Sequence, residues 1–139
     1  MTAIARVVIA DDDAMIREAM AALITDEDQL DLVGVAVDAD DLVDHVGRLR
    51  PDLVVLDGRM PGGGGAAALS QIRARWPSTL VVAMTAYDDD EAREELVGAD
   101  RYVVKGAGGP SVVDVMLELV GQQQGGGGAD RSGPAAPGS

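Results

Sequence analysis

In the stretch LVVLDGRMPG, residues 53–62, an unbroken aliphatic run leads into an aspartate and a glycine-containing turn. A run without alternating polar positions suits a strand buried on both faces, as in a parallel sheet covered by helices. Asp57 then stands at the carboxyl edge of that sheet, where ligands of open α/β sheets collect.

Working outward, similar runs occupy Arg6–Ala10, Leu32–Val37, Leu80–Met84 and Arg101–Val104. Between and after them the apolar residues recur at helical spacing, which predicts helices over Ala14–Thr25, Asp41–Leu49, Ala66–Trp76, Asp89–Val97 and Ser111–Val120. Pro51, Pro77, Gly98 and Gly121 mark helix ends, and Pro110 fits a first turn. Strict alternation of strand and helix with right-handed crossovers gives an α/β doubly wound sheet with helices on both faces. From Gln122 the composition collapses to Gly, Gln, Pro, Ala and Ser, so residues 1–121 are expected to form one domain and 122–139 a disordered tail.

The bulk properties exclude several functions. The 139 residues suffice for one domain and are short for two. The net charge of −13 repels phosphate backbones, so no direct nucleic-acid binding is expected. The absence of Cys removes disulfides, thiol catalysis and thiolate metal sites. No leader peptide is expected at the start, and no apolar run approaches the ~20 residues of a membrane span. The expected compartment is the cytoplasm, with no membrane contact.

The strand ends deliver a chemically coherent set. The first offers Asp11, Asp12 and Asp13, the third Asp57, the fourth Thr85, and the fifth Lys105, the only lysine beside ten arginines. Converging carboxylates repel unless a cation sits among them, and oxygen donors favour a hard ion such as Mg2+. A carboxylate can accept a phosphoryl group, with metal, lysine and hydroxyl neutralising its oxygens. Asp38 ends the second strand and is expected to lie aside. His45, among Asp41, Asp44 and Arg48, is expected on a solvated helix face, and Trp76 as a packing cap.

The stretches VVIADDDAMIRE, LVVLDGRMPG, VVAMTAYDDDE and GADRYVVKGA follow one another in an order that resembles the receiver domain of bacterial two-component response regulators, over roughly residues 4–120. The resemblance implies a flavodoxin-like fold with strand order 2-1-3-4-5 and five helices. It implies a phosphorelay switch, not an enzyme on external substrates, that takes a phosphoryl group from a sensor histidine kinase or phosphotransfer protein and assists its own phosphorylation and dephosphorylation. Asp57 would be the phosphoacceptor. Asp11, Asp12, Asp57 and the backbone carbonyl of Arg59 would hold Mg2+, Asp11 largely through water. Thr85 would be the switch hydroxyl, Lys105 the phosphate-binding lysine, and Tyr102 the aromatic whose rotamer reports the state. Met60 and Pro61 would shape the loop, and Gly65 would open the third helix. A homodimer would form through the fourth helix, fifth strand and fifth helix.

Three departures stand out. Gly62–Gly65 is a glycine run where relatives carry bulkier residues, so a more mobile loop is expected. The segment between Thr85 and Lys105 is about two residues short, a loss expected to fall in the fourth helix. Lys105 is followed by Gly-Ala-Gly-Gly, a form resembling regulators that end in a helix-turn-helix DNA-binding domain. Two other readings compete. A pseudo-receiver would act by protein contact without phosphate. A haloacid-dehalogenase-like phosphatase would use Asp11 and Asp13 as its D-x-D motif.

Overall fold

The structure is a computed structural model and describes residues 4–60, 64–86, 90–105 and 111–126. Elements alternate as β1 (Ala5–Ala10), α1 (Ala14–Thr25), β2 (Leu30–Ala36), α2 (Ala39–Leu49), β3 (Leu53–Asp57), α3 (Gly64–Arg75), β4 (Leu80–Thr85), α4 (Asp90–Glu95), β5 (Arg101–Val104) and α5 (Val112–Gly126). The strands form one parallel five-stranded sheet in the order β2-β1-β3-β4-β5, as expected.

The period-two geometry of the strands sorts their side chains into two cores. Val7 and Ile9 of β1, Leu53 and Val55 of β3, and Val82 and Met84 of β4 face Met20 and Ile24 of α1 and Val113 and Met116 of α5. Their neighbours Val8, Ala10, Val54, Leu56, Val81 and Ala83 face Leu42 and Val46 of α2 and Leu69 and Ile72 of α3. Every residue of β3 is buried, which is the physical meaning of its unbroken aliphatic run.

Several boundaries differ from the sequence expectation. β2 spans Leu30–Ala36 instead of Leu32–Val37, because it pairs with β1 from Ala5 onward and slips register between Val7 and Val8. α2 starts at Ala39, where Asp38 accepts from the Asp41 amide at 2.7 Å and caps the helix. α3 begins at Gly64 and ends at Arg75, so Gly64 and Gly65 belong to a helix and not to the glycine loop; residues 61–63 lie outside the described residues. α4 spans Asp90–Glu95, within the expected Asp89–Val97. α5 spans Val112–Gly126 and so runs six residues past the expected helix end at Val120. Gln is a good helix former, and Gly121 in an exposed interior position costs only about 1 kcal/mol. Residues 127–139 lie outside the described residues.

His45 also departs from expectation. Instead of a solvated face it is half-buried, with Nδ1 2.7 Å from the Asp41 carbonyl. A Cβ on Gly34 would stand 2.9 Å from its ring, so the helix packs against a glycine gap in β2. Trp76 does pack as a cap, its ring lying 3.3 Å from where a Cβ of Gly47 would stand on α2.

Two residues tie the layers together. A Cβ on Gly65 would lie 2.5 Å from the backbone oxygen of Asp57, so α3 can approach the end of β3 only through a glycine. Arg73 donates to the carbonyls of Gly98 at 2.7 Å and Thr79 at 2.6 Å and to Asp100 at 2.6 Å. Asp100 in turn accepts from the Val81 amide at 2.8 Å. Gly65→Ala is therefore expected to lower stability by about 1–3 kcal/mol through overpacking against backbone, measured as a reduced urea midpoint. Arg73→Met should cost about 1–3 kcal/mol by removing the bonds to Gly98, Asp100 and the partly buried Thr79 carbonyl together. Arg48→Met, whose partner Asp44 is exposed like itself, should stay within about 0–1 kcal/mol in the same assay.

Candidate functional site

β1 delivers its acids to three different tasks. Asp11 is buried at 2 % exposure; its amide donates to the Ala36 carbonyl at 3.2 Å, and its Oδ1 accepts from the Asp13 amide at 2.9 Å. Asp12 is exposed at the sheet's edge. Asp13 is the N-cap of α1, in extended conformation, accepting from the amides of Met15 at 2.8 Å and Ile16 at 3.4 Å. Asp13 is thus occupied by the helix, which leaves Asp11 and Asp12 for the cluster. Arg17 of α1 donates to the Asp11 carbonyl at 2.8 Å and fixes that turn. Nothing in the sequence singled Arg17 out, because its role depends on how α1 docks.

Asp57 is the last residue of β3 and is 6 % exposed. The turn after it is pinned by the Gly58 amide donating to the Met84 carbonyl at 2.8 Å. The Arg59 amide donates to Asp57 Oδ1 at 3.3 Å, while the Arg59 side chain is exposed. Lys105 follows β5 and is held by its amide on the Thr85 carbonyl at 2.7 Å. From there its Nζ lies 3.3 Å from Asp11 Oδ2 and 3.3 Å from Asp57 Oδ1. Thr85 is buried at 3 % exposure at the end of β4, the strand between those carrying Asp57 and Lys105. Tyr102 pairs with Ala83 across β4 and β5 and is half-buried, with the Arg93 guanidinium 4.9 Å from its ring centroid. Arg93 is a second neighbour that the sequence pattern did not reveal.

Carboxylate oxygens of Asp11, Asp12 and Asp57 all lie within 4.8 Å of one another. One ammonium cannot neutralise three such groups. The consequence is visible at Asp57, whose carboxyl is pushed above its ordinary value of 3.8 by burial first and by the charge of Asp11 second. Lys105 and the Arg59 amide pull the other way without prevailing. This all-oxygen donor set around uncompensated charge fits a hard divalent cation. Asp41, Asp44 and His45 form another compact group, but their polar atoms are committed. Asp41 accepts from the Val37 amide at 3.1 Å, Asp44 pairs with Arg48 at 3.1 Å, and His45 meets the Asp41 carbonyl. The expected Asp38 caps α2 and stays out of the site. No described helix is long and apolar enough to cross a membrane.

Comparison with known proteins agrees with this geometry. The family model of the response regulator receiver domain matches residues 7–116. The chain is 33% identical over 121 residues to the response regulator GacA of Pseudomonas viridiflava, covering 85% of this chain and 56% of that protein. It is 34% identical over 102 residues to the DNA-binding transcriptional activator DevR/DosR of Mycobacterium tuberculosis, covering 72% and 47%. The chain therefore spans about half the length of these regulators. The receiver domain of the putative response regulator NarL from Mycobacterium tuberculosis superposes with a TM-score of 0.78 at 26% identity, covering 86% of this chain and 98% of that one. A DNA-binding response regulator of the LuxR family from Staphylococcus aureus superposes at 0.74 with 25% identity, covering 86% and 98%. With its acids, hydroxyl and lysine gathered at the carboxyl edge of a 2-1-3-4-5 sheet, this chain belongs to the family of response regulator receiver domains.

Proposed function

We propose that Asp57 is the phosphoacceptor of this receiver, with Asp11 and Asp12 as its metal-holding acids and Lys105 and Thr85 as its phosphate-binding groups. One observation carries the reading. The Asp57 carboxylate stands 3.3 Å from the sole lysine ammonium, with oxygens of two further acids within 4.8 Å. In the transfer, an Asp57 oxygen attacks the phosphorus of a phosphohistidine on a histidine kinase or phosphotransfer protein. The new O–P bond forms as the P–N bond breaks, and the electron pair returns to the imidazole nitrogen. Lys105 Nζ, already poised on Asp57, swings its hydrogen bonds onto an equatorial phosphoryl oxygen, and the Thr85 hydroxyl donates to another. A Mg2+ ion held by Asp11, Asp12, Asp57 and the Arg59 carbonyl would supply the remaining charge neutralisation. Water attack on the acyl phosphate returns Asp57, so the domain assists its own resetting and has no external substrate.

The switch follows from what each group holds before transfer. Lys105 is bridged between Asp11 and Asp57, and Thr85 heads the loop toward α4. Moving both onto a phosphoryl group biases the face of α4, β5 and α5, where Tyr102 sits beneath Arg93. This face would contact partners or a second copy. Relatives such as DevR/DosR are named DNA-binding activators, and this acidic half would serve as their kind of input module without touching DNA itself. The phosphatase reading loses its second acid, because Asp13 is spent on the α1 cap. The complete acid cluster argues against a pseudo-receiver that acts by protein contact without phosphate.

Incubation with Mg2+ and acetyl phosphate should add one phosphoryl mass to the intact protein. That adduct should vanish in Asp57→Asn and persist in Asp13→Asn; an adduct retained by Asp57→Asn would overturn the assignment. The raised carboxyl of Asp57 also sets a pH dependence. Folding disfavours its ionised form, so the site lowers stability above the folded pKa and this cost is relieved as pH falls through it. Without metal, Asp57→Asn should therefore be more stable than the parent at neutral pH, with the difference shrinking on acidification or on adding Mg2+, read from urea melts at several pH values.

A further inference from the structure

At the opposite end of the sheet from Asp57, the amino ends of β1, β3 and β4 surround a cavity of about 540 Å³. That volume lies within the range of small-ligand pockets, roughly 300–1,000 Å³. Its wall is aliphatic: Ile4, Leu80 and Val120 line it. Its rim is cationic and aromatic. The guanidinium groups of Arg50 and Arg75 lie 5.6 Å and 5.7 Å from the ring centroid of Trp76, the only tryptophan in the chain.

The charge state of this rim sets it apart. In a protein of net charge −13, Arg48, Arg73 and Arg101 pair with carboxylates and Arg6 donates to two backbone carbonyls. Arg50 donates only to the Gly47 carbonyl, at 3.3 Å, and Arg75 has only the indole, so neither has a carboxylate partner among the described residues. A guanidinium beside an aromatic face keeps N–H donors for a further partner, and a planar set of donors suits a phosphate. Thr79 also lines the cavity; it is 7% exposed, and its hydroxyl has no hydrogen-bond partner among the described residues yet is not sealed from solvent. Asp52 lines the cavity too, its Oδ2 accepting from the Arg6 amide at 2.8 Å.

We infer that this cavity binds a phosphate group carried on a flat nitrogenous ring, that is, a nucleotide-class ligand. Arg50 and Arg75 would take the phosphate. The indole and the aliphatic wall would cover the ring's faces, and Thr79 and Asp52 would accept from its N–H groups. Two guanidiniums without carboxylate partners, an indole and a hydroxyl open to solvent supply a group for each part of such a molecule. The inference is independent of the phosphoacceptor assignment, since the two sites occupy opposite ends of the sheet.

Trp76 is a built-in reporter. Titrating the full chain with AMP and with GMP, in EDTA to silence the metal-dependent site, should give a saturable change in Trp76 emission for at least one of them. Adenosine and inorganic phosphate should each bind at least about tenfold more weakly, because each lacks one half of the recognition. Arg75→Gln should weaken binding at least about tenfold, and so should Arg50→Asn, a choice that tolerates the positive φ of 47° at that position. Asp57→Asn should leave binding unchanged. Amide chemical-shift mapping on the unaltered protein guards against misfolded variants: perturbations should appear at Trp76, Thr79 and Leu80. No response to either nucleotide, equal binding of inorganic phosphate alone, or shifts confined to Asp12, Asp57 and Lys105 would overturn the inference.

Discussion

The bridging of Lys105 between Asp11 and Asp57 is the constraint around which the rest of the molecule is arranged. Three acids whose oxygens lie within 4.8 Å would separate in water. Here they are held together by backbone bonds that leave the carboxylates little freedom. The amides of Asp11, Gly58 and Lys105 are each anchored to a carbonyl of a neighbouring strand or its end. The ammonium at 3.3 Å from two of the acids offsets only part of their repulsion. The remainder shows in the carboxyl of Asp57, which is raised above its ordinary value by burial and by the charge of Asp11.

The surrounding architecture serves that tension in two ways. The aliphatic β3 strand, buried throughout, leaves no room for Asp57 to relax by sinking or shifting, since close-packed cores yield little. The glycine at position 65 lets α3 close over the end of β3, which confines the turn carrying Gly58 and Arg59. Rigidity on the β3 side contrasts with α4, a six-residue helix rich in charge and poor in apolar contacts. The Arg93–Tyr102 contact bridges these two regimes across the sheet edge.

The amino end of the sheet has a different character. There Arg50 and Arg75 have no carboxylate partner among the described residues, and both guanidiniums lie over the Trp76 ring.

Much of this was legible in the sequence, and the reason is local. Continuous aliphatic runs, helical apolar spacing and glycine or proline stops are short-range signals. They were enough for the order of elements and the doubly wound class, and strand ends such as Asp57 and Lys105 followed from where each run stopped. What escaped it depends on how elements meet. The register slip of β2, the burial of His45 against Gly34 and the assignment of Asp13 to a cap and Asp11 to the cluster are settled by neighbours distant in sequence. So are the Arg73 staple and the unpaired rim of Arg50 and Arg75. The chain alone determined which chemical groups reach the strand ends. Only tertiary packing decided which of them converge, because convergence requires the parallel pairing of strands separated by dozens of residues, and no local pattern encodes a distance of 3.3 Å between Lys105 and Asp57.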